Sequence, residues 1–163
     1  MKRVNVLSQI DFDVTNYTTC SFVTRVCLTI CCYTAIKKDC AELYKSGIQS
    51  SGVYTINPDG LGAFDVFCDQ TTGGGGWSVF QKRMNGSVDF YLGWAEYKQG
   101  FGNLNGEFWL GLEKTHRMTS SGGYKLLVDL EDFAGNIVYA EYASFGVGNE
   151  TTKYQLTVGS YSG

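Results

Sequence analysis

Four consecutive glycines at 73–76 open directly into Trp77, and that junction restricts the possible folds more than any other feature of the chain. Glycine has no Cβ, so the run permits backbone at positive φ and close approach of a neighbouring segment. From there Trp77, Val79 and Gln81 alternate with Ser78, Phe80 and Lys82, the period of a strand that starts where the glycines stop. The run is not a phosphate cradle, because Trp77 and Ser78 follow it where Gly-Lys-[Ser/Thr] would be required.

The same reasoning extends in both directions. Asp39 can cap a helix, with Glu42 three positions on and Gly47 as a left-handed stop, which predicts one short helix over 40–46 with Ala41, Leu43 and Tyr44 as apolar candidates. Val53, Tyr54 and Ile56 form a β-favouring run closed by NPDG, and Phe64, Val66 and Cys68 alternate with Asp65, Phe67 and Asp69, so a strand, a turn and a second strand precede the glycines. After them, WAEYKQ (94–99), closed by Gly100, and LEKTHRMT (112–119), closed by Gly122 and Gly123, read as short helices, with Trp94, Tyr97, Phe101, Phe108 and Trp109 as bulky core candidates. Tyr124, Leu126, Val128 and Leu130 share one face of a strand that pairs through EDFAGN with 137–142, and Tyr154, Leu156 and Val158 begin one more. Antiparallel sheet with helices gathered mid-chain is an α+β class.

Residues 1–38 show no sustained period and are treated as an unassigned arm; 39–163 form the domain, divided at 76/77. The chain is long enough for one domain plus an arm. Thirteen basic and sixteen acidic residues, with no Lys/Arg cluster, disfavour nucleic acid as a partner. Six cysteines and three N-x-[ST] acceptors, at Asn16, Asn85 and Asn149, fit an oxidising, extracellular setting. No secretory leader is evident, since Asp11 and Asp13 interrupt the apolar character after Lys2 and Arg3. The apolar run 26–36 is too short for a bilayer span, which needs roughly 20 residues.

Taken in order, DCAELYKSG (39–47), SGVYTI (51–56), FDVFCD (64–69), GGGGWSVFQKRMNGSVDFYLGWAEYKQGFGNLNGEFWLGLEKTH (73–116), YKLLVDLEDFAGN (124–136) and YQLTVGSYSG (154–163) resemble the fibrinogen C-terminal domain family of ficolin-type lectins, tenascins and angiopoietin-like ligands. The resemblance covers 39–163. It implies a small N-terminal subdomain linked by a Cys40–Cys68 disulfide, followed by a central antiparallel sheet with short helices; two free buried thiols are the alternative. It further implies that the family's C-terminal subdomain, with its calcium aspartates, second disulfide and aromatic pocket, has no counterpart here, and that the family's final strand is missing from the sheet. An unpaired inner edge and exposed apolar surface are therefore expected, as are an absence of calcium and of any other cofactor and little affinity for acetylated sugars.

The remaining motifs yield no chemistry. Cys20, Cys27, Cys31 and Cys32 lack a C-x2-C zinc spacing; they could instead join chains into a homo-oligomer through the arm, or be incidental. Asn103, Asn105, Gly106 and Glu107 have Leu112 where a calcium loop needs its bidentate Glu. Asp129, Glu131 and Asp132 read as a solvated edge and turn. His116 is the only histidine and no nucleophile elbow exists, so it is expected to pack or cap, and no enzyme is expected. The resemblance implies a secreted, lectin-like recognition module whose partners are glycans or extracellular proteins, with a matrix or receptor-binding module of tenascin or angiopoietin type as the alternative.

Overall fold

The computed structural model describes residues 3–10 and 36–163, and side chains at 4–9 and 36–163. The elements in chain order are β1 (Arg3–Ile10), α1 (Cys40–Lys45), β2 (Gly52–Ile56), β3 (Phe64–Asp69), a 3-10 turn (Thr72–Gly74), β4 (Trp77–Arg83), α2 (Trp94–Gln99), β5 (Phe101–Gly102), β6 (Phe108–Trp109), α3 (Leu112–Thr119), β7 (Tyr124–Glu131), β8 (Ile137–Val147), a second 3-10 turn (Glu150–Thr152), β9 (Leu156–Val158) and β10 (Tyr161–Ser162). The strands make one antiparallel sheet in the order β10-β8-β7-β1-β4-β3-β2, with β5, β6 and β9 attached beside it.

Local chemistry accounts for most of this. Asp39 Oδ1 accepts the Glu42 N–H at 2.9 Å and caps α1, while Glu42 Oε2 accepts the Lys38 N–H at 3.0 Å. Gly47 ends that helix at φ 97°. In the tetraglycine run every φ is positive, and a Cβ on Gly75 would stand 2.5 Å from the Tyr44 ring and 2.7 Å from the Gln70 carbonyl; only glycine admits that approach. Cys40 and Cys68 are joined with their Cα atoms 5.4 Å apart, which ties the start of α1 to β3. Leu7, Cys40, Leu43, Ile56, Val66, Cys68, Val79, Phe80, Phe108, Leu110, Met118, Leu126, Leu127 and Phe145 lie in one core cluster.

Four expectations are corrected. Residues 3–10, read within an unassigned arm, are the central strand of the sheet: β1 pairs along its whole length with β7 and from Val4 to Ser8 with β4. The expected unpaired inner edge is therefore filled. Its alternation was masked because polar Asn5 and Ser8 stand among Val4, Val6 and Leu7 and the β1–β4 register shifts between Val6 and Leu7, so that adjacent Leu7 and Ser8 are both buried. Trp94, expected in the core, is 53% exposed. Tyr154 does not start a strand: Lys153 and Tyr154 both have positive φ, at 56° and 53°, so the chain turns there and buries the Tyr154 ring.

Candidate functional site

The most distinctive built feature is the segment 84–94, which leaves β4 and leads into α2. Its foundation is Glu107, on the turn before β6 and 2% exposed. One carboxylate oxygen accepts the N–H groups of Met84, Asn85 and Gly86 at 2.5, 2.7 and 2.8 Å. The other accepts Val88 N–H at 2.9 Å and the Ser87 hydroxyl at 3.4 Å, and Arg83 stands 3.8 Å away. Burial disfavours the charged form, but the four backbone donors outweigh it and hold the carboxyl at about pKa 2. A single buried anion thus sets the path of five residues.

Beyond that cradle, aromatic rings brace the segment from behind. The Arg83 guanidinium lies 3.9 Å from the Phe90 ring centroid, Phe90 meets Phe101 edge-on at 4.8 Å, and Tyr97 meets Phe101 at 5.2 Å and Trp109 at 5.6 Å. The Tyr97 hydroxyl donates to the Phe90 carbonyl at 2.9 Å, and Trp109 Nε1 donates to the Tyr97 carbonyl at 2.8 Å. With these rings turned inward, Tyr91, Leu92 and Trp94 face outward, Tyr91 almost completely exposed. Trp94 leans on the buried Tyr154 ring at 5.9 Å, and the Tyr154 hydroxyl donates to Glu113 at 2.6 Å, which together with burial pushes that phenol well above its ordinary pKa. The outcome is an aromatic ridge on a rigid support, the arrangement that binding surfaces favour.

A groove of about 570 Å³ lies elsewhere, lined by Lys38, Asp59, Leu61, His116, Arg117 and Ser120 among others. Arg117 donates to both Asp59 carboxylate oxygens, at 2.8 and 2.6 Å, and to the Gly62 carbonyl at 2.6 Å; this hydrogen-bonded pair brings Asp59 down to about pKa 2. His116 Nδ1–H donates to the Val147 carbonyl at 2.8 Å, linking α3 to β8 in the packing role expected of it. A third surface, on β8, β9 and β10, exposes Ile137, Val138, Tyr139, Leu156, Val158 and Tyr161.

The other sequence-predicted residues are dispersed. Asn85 sits on the Glu107-held segment, where its Oδ1 accepts Ser87 N–H at 3.1 Å. Asn149 caps the second 3-10 turn, accepting from the Thr151 hydroxyl at 2.6 Å and Thr152 N–H at 3.2 Å. Asn16, Cys20, Cys27, Cys31 and Cys32 lie outside the described residues. Asp129 and Glu131 are on β7, with Asp129 pushed up by burial and the neighbouring Asp69. Asp132 instead closes the β7–β8 turn by accepting from Ala134 and Asn136. Among the described residues no three His, Cys, Asp or Glu side chains gather as a metal site, and no helix is long and apolar enough to cross a membrane. Sequence reasoning missed the role of Glu107; its signal was a lone carboxylate wedged directly before the bulky run Phe108–Leu110.

Comparison with known proteins adds a consistent set of similarities. The family model described as the C-terminal globular domain of fibrinogen beta and gamma chains matches residues 36–163. Angiopoietin-related protein 7 of Mus musculus is 49% identical over 128 residues, covering 77% of this chain and 38% of that protein. Fibrinogen C domain-containing protein 1 of Homo sapiens is 50% identical over 130 residues, covering 76% of this chain and 28% of that protein. This chain therefore spans less than two fifths of either relative. Among solved structures, the fibrinogen-like globe domain of human ANGPTL2 superposes with a TM-score of 0.76 at 45% identity, covering 77% of this chain and 59% of that one. Lamprey fibrin D-dimer complexed with the peptide Gly-His-Arg-Pro-amide gives a TM-score of 0.74 at 38% identity, covering 80% of this chain and 42% of that one.

Proposed function

Because this chain belongs to the fibrinogen C-terminal domain family, we propose that it is an extracellular binding module that recognises a protein partner through the ridge of Tyr91, Leu92 and Trp94. The observation that carries this reading is the exposure of these three side chains on a segment whose backbone is fastened by buried Glu107. A rigid support loses little conformational freedom on binding, so exposed aromatics there can return most of their contact energy as affinity. The solved lamprey relative was captured with a peptide ligand, which supports a protein-type partner. An oxidised Cys40–Cys68 pair suits the extracellular setting.

The lectin-like reading, with glycans or acetyl groups as ligands, is the competing proposal, and on either reading we propose that calcium is not needed. One experiment separates them: panels of extracellular proteins and of acetylated and non-acetylated glycans are probed with the chain, with and without EDTA. The protein reading expects hits among proteins that EDTA leaves intact and that Tyr91→Ala with Trp94→Ala weakens by about tenfold or more. Hits confined to acetylated sugars would replace it with the lectin reading, and their loss in EDTA would overturn the proposal that calcium is not needed.

A further inference from the structure

β1 enters the sheet by a route unlike its neighbours. β2, β3 and β4 follow one another in the chain, as do β7, β8, β9 and β10. β1 alone comes from the N-terminal end to lie between β4 and β7, separated from the rest of the described chain by residues 11–35. Removing any outer strand would shorten the sheet; removing β1 would split it, leaving two inner edges able to pair with a strand.

The seat holds this strand by specific contacts, yet imperfectly. Leu7 is 1% exposed in the core cluster. Gln9 Nε2 donates to the Gly75 carbonyl at 2.7 Å, and a Cβ on Gly76 would come within 2.9 Å of that same Nε2, so the tetraglycine run leaves room for this side chain in particular. Against these contacts, the hydroxyls of Ser8 and of its cross-strand neighbour Ser78 are buried without a hydrogen-bond partner, as is Asn5 Oδ1. These three atoms all lie on β1 or directly opposite it, and the β1–β4 register also slips between Val6 and Leu7. Buried polar atoms left unpaired weaken a contact, and here they are concentrated on or directly opposite a strand whose departure would open the sheet at its centre.

We propose that β1 is an exchangeable strand, and that Arg3–Ile10 of one copy fills the β4–β7 seat of a second copy, reciprocally, to form a two-fold dimer. The fit of Gln9 over Gly75 and Gly76 selects this strand over a foreign one, so the partner is another copy of the same chain. Such a dimer repeats every contact of the closed form, which makes exchange a low-cost route to association. The 25 residues from 11 to 35 have a contour length of about 80 Å when extended, ample to reach an adjacent copy.

Val6 and Val128 are paired across β1 and β7, and they provide the test. A full-length Val6→Cys chain is mixed with a full-length Val128→Cys chain, oxidised, and digested for mass spectrometry. Strand exchange predicts a disulfide joining the peptide that spans position 6 of one chain to the peptide that spans position 128 of the other, whatever the arm's own thiols do. The double variant, Val6→Cys with Val128→Cys, shows that the two positions link within a folded monomer. A second measurement needs no substitution: wild-type chains with light and heavy nitrogen are incubated together under reducing conditions and examined by native mass spectrometry, where exchange predicts mixed dimers that increase with concentration. If the double variant links internally while the mixture gives no cross-chain peptide pair, the proposal is overturned. If labelled wild-type chains form no mixed dimer at any concentration, it is overturned as well.

Discussion

β4 has two long neighbours, and they are secured by opposite means. β3 is brought alongside by short-range devices: a turn, a glycine run whose every φ is positive, and a covalent tie from Cys68 to the capped start of α1. Among the described residues β1 has no such help. It is placed by burial of Leu7, by the reach of Gln9 to Gly75, and by ladder bonds on both sides. One strand is held by connectivity and the other by complementarity, although the two occupy equivalent positions on either side of the same strand.

The strongest way to break this comparison is to remove complementarity and leave connectivity intact. Leu7→Asp places a carboxylate in the centre of the core cluster, where Leu7 is 1% exposed. The lost packing and the buried unpaired charge together are expected to cost about 4 kcal/mol or more, against a total stability of about 5 to 15 kcal/mol for a typical domain. Leu61→Asp, at a position 81% exposed, should stay within about 0.5 kcal/mol. Urea unfolding of the two variants and the parent gives the answer; equal midpoints for all three would show that residues 3–10 do not contribute to the fold.

The reverse experiment removes connectivity. Replacing both members of the Cys40–Cys68 pair by alanine reopens a loop of 28 positions, which the chain-entropy account values at about 3 to 4 kcal/mol. The loss should appear mainly as a lower unfolding midpoint with the sheet still formed, because β2, β3 and β4 retain their registered pairs. A loss larger than that of Leu7→Asp would reverse the ranking and make the covalent tie the dominant element.

This contrast also explains what could be read from the sequence. The cap at Asp39, the stop at Gly47, the strand after the glycines, the helices at 94–99 and 112–119 and the turn closed by Asp132 all rest on residues a few positions apart, and the structure contains each of them. The features that escaped depend on distant partners. β1 is defined by strands some 70 to 130 positions away, and Asn5 and Ser8 disguise its pattern. Trp94 and Tyr154 both depart from expectation: Tyr154 turns inward at a positive φ instead of starting a strand, and its buried ring lies beside the exposed Trp94. Of the candidate ridge only Trp94 was singled out, and as a core residue; the exposure of Tyr91, Leu92 and Trp94 was not legible, since the segment leading to them is fastened at residues 84–88 by Glu107, some 20 positions beyond those amides.

Glu107 offers the finest adjustment, because it fastens the segment that continues β4 without touching either neighbour strand. Its folded pKa of about 2 lies below its ordinary 4.5. A carboxyl depressed in the folded state contributes stability that is fully present above about pH 4.5 and is lost as the pH falls toward 2. Glu107→Gln keeps the shape but replaces one acceptor oxygen with a donor that faces backbone N–H groups. At neutral pH it should cost about 2 to 3 kcal/mol, less than either change above, and the parent and the variant should converge as the pH falls from 4.5 to 2. Hydrogen exchange locates the effect: in Glu107→Gln, the amides of Met84, Asn85, Gly86 and Val88 should lose protection while those of β3 and β1 keep theirs. Loss of protection spreading into β1 would instead mean that the ridge and the exchangeable strand are coupled through β4, and that binding at one would be felt at the other.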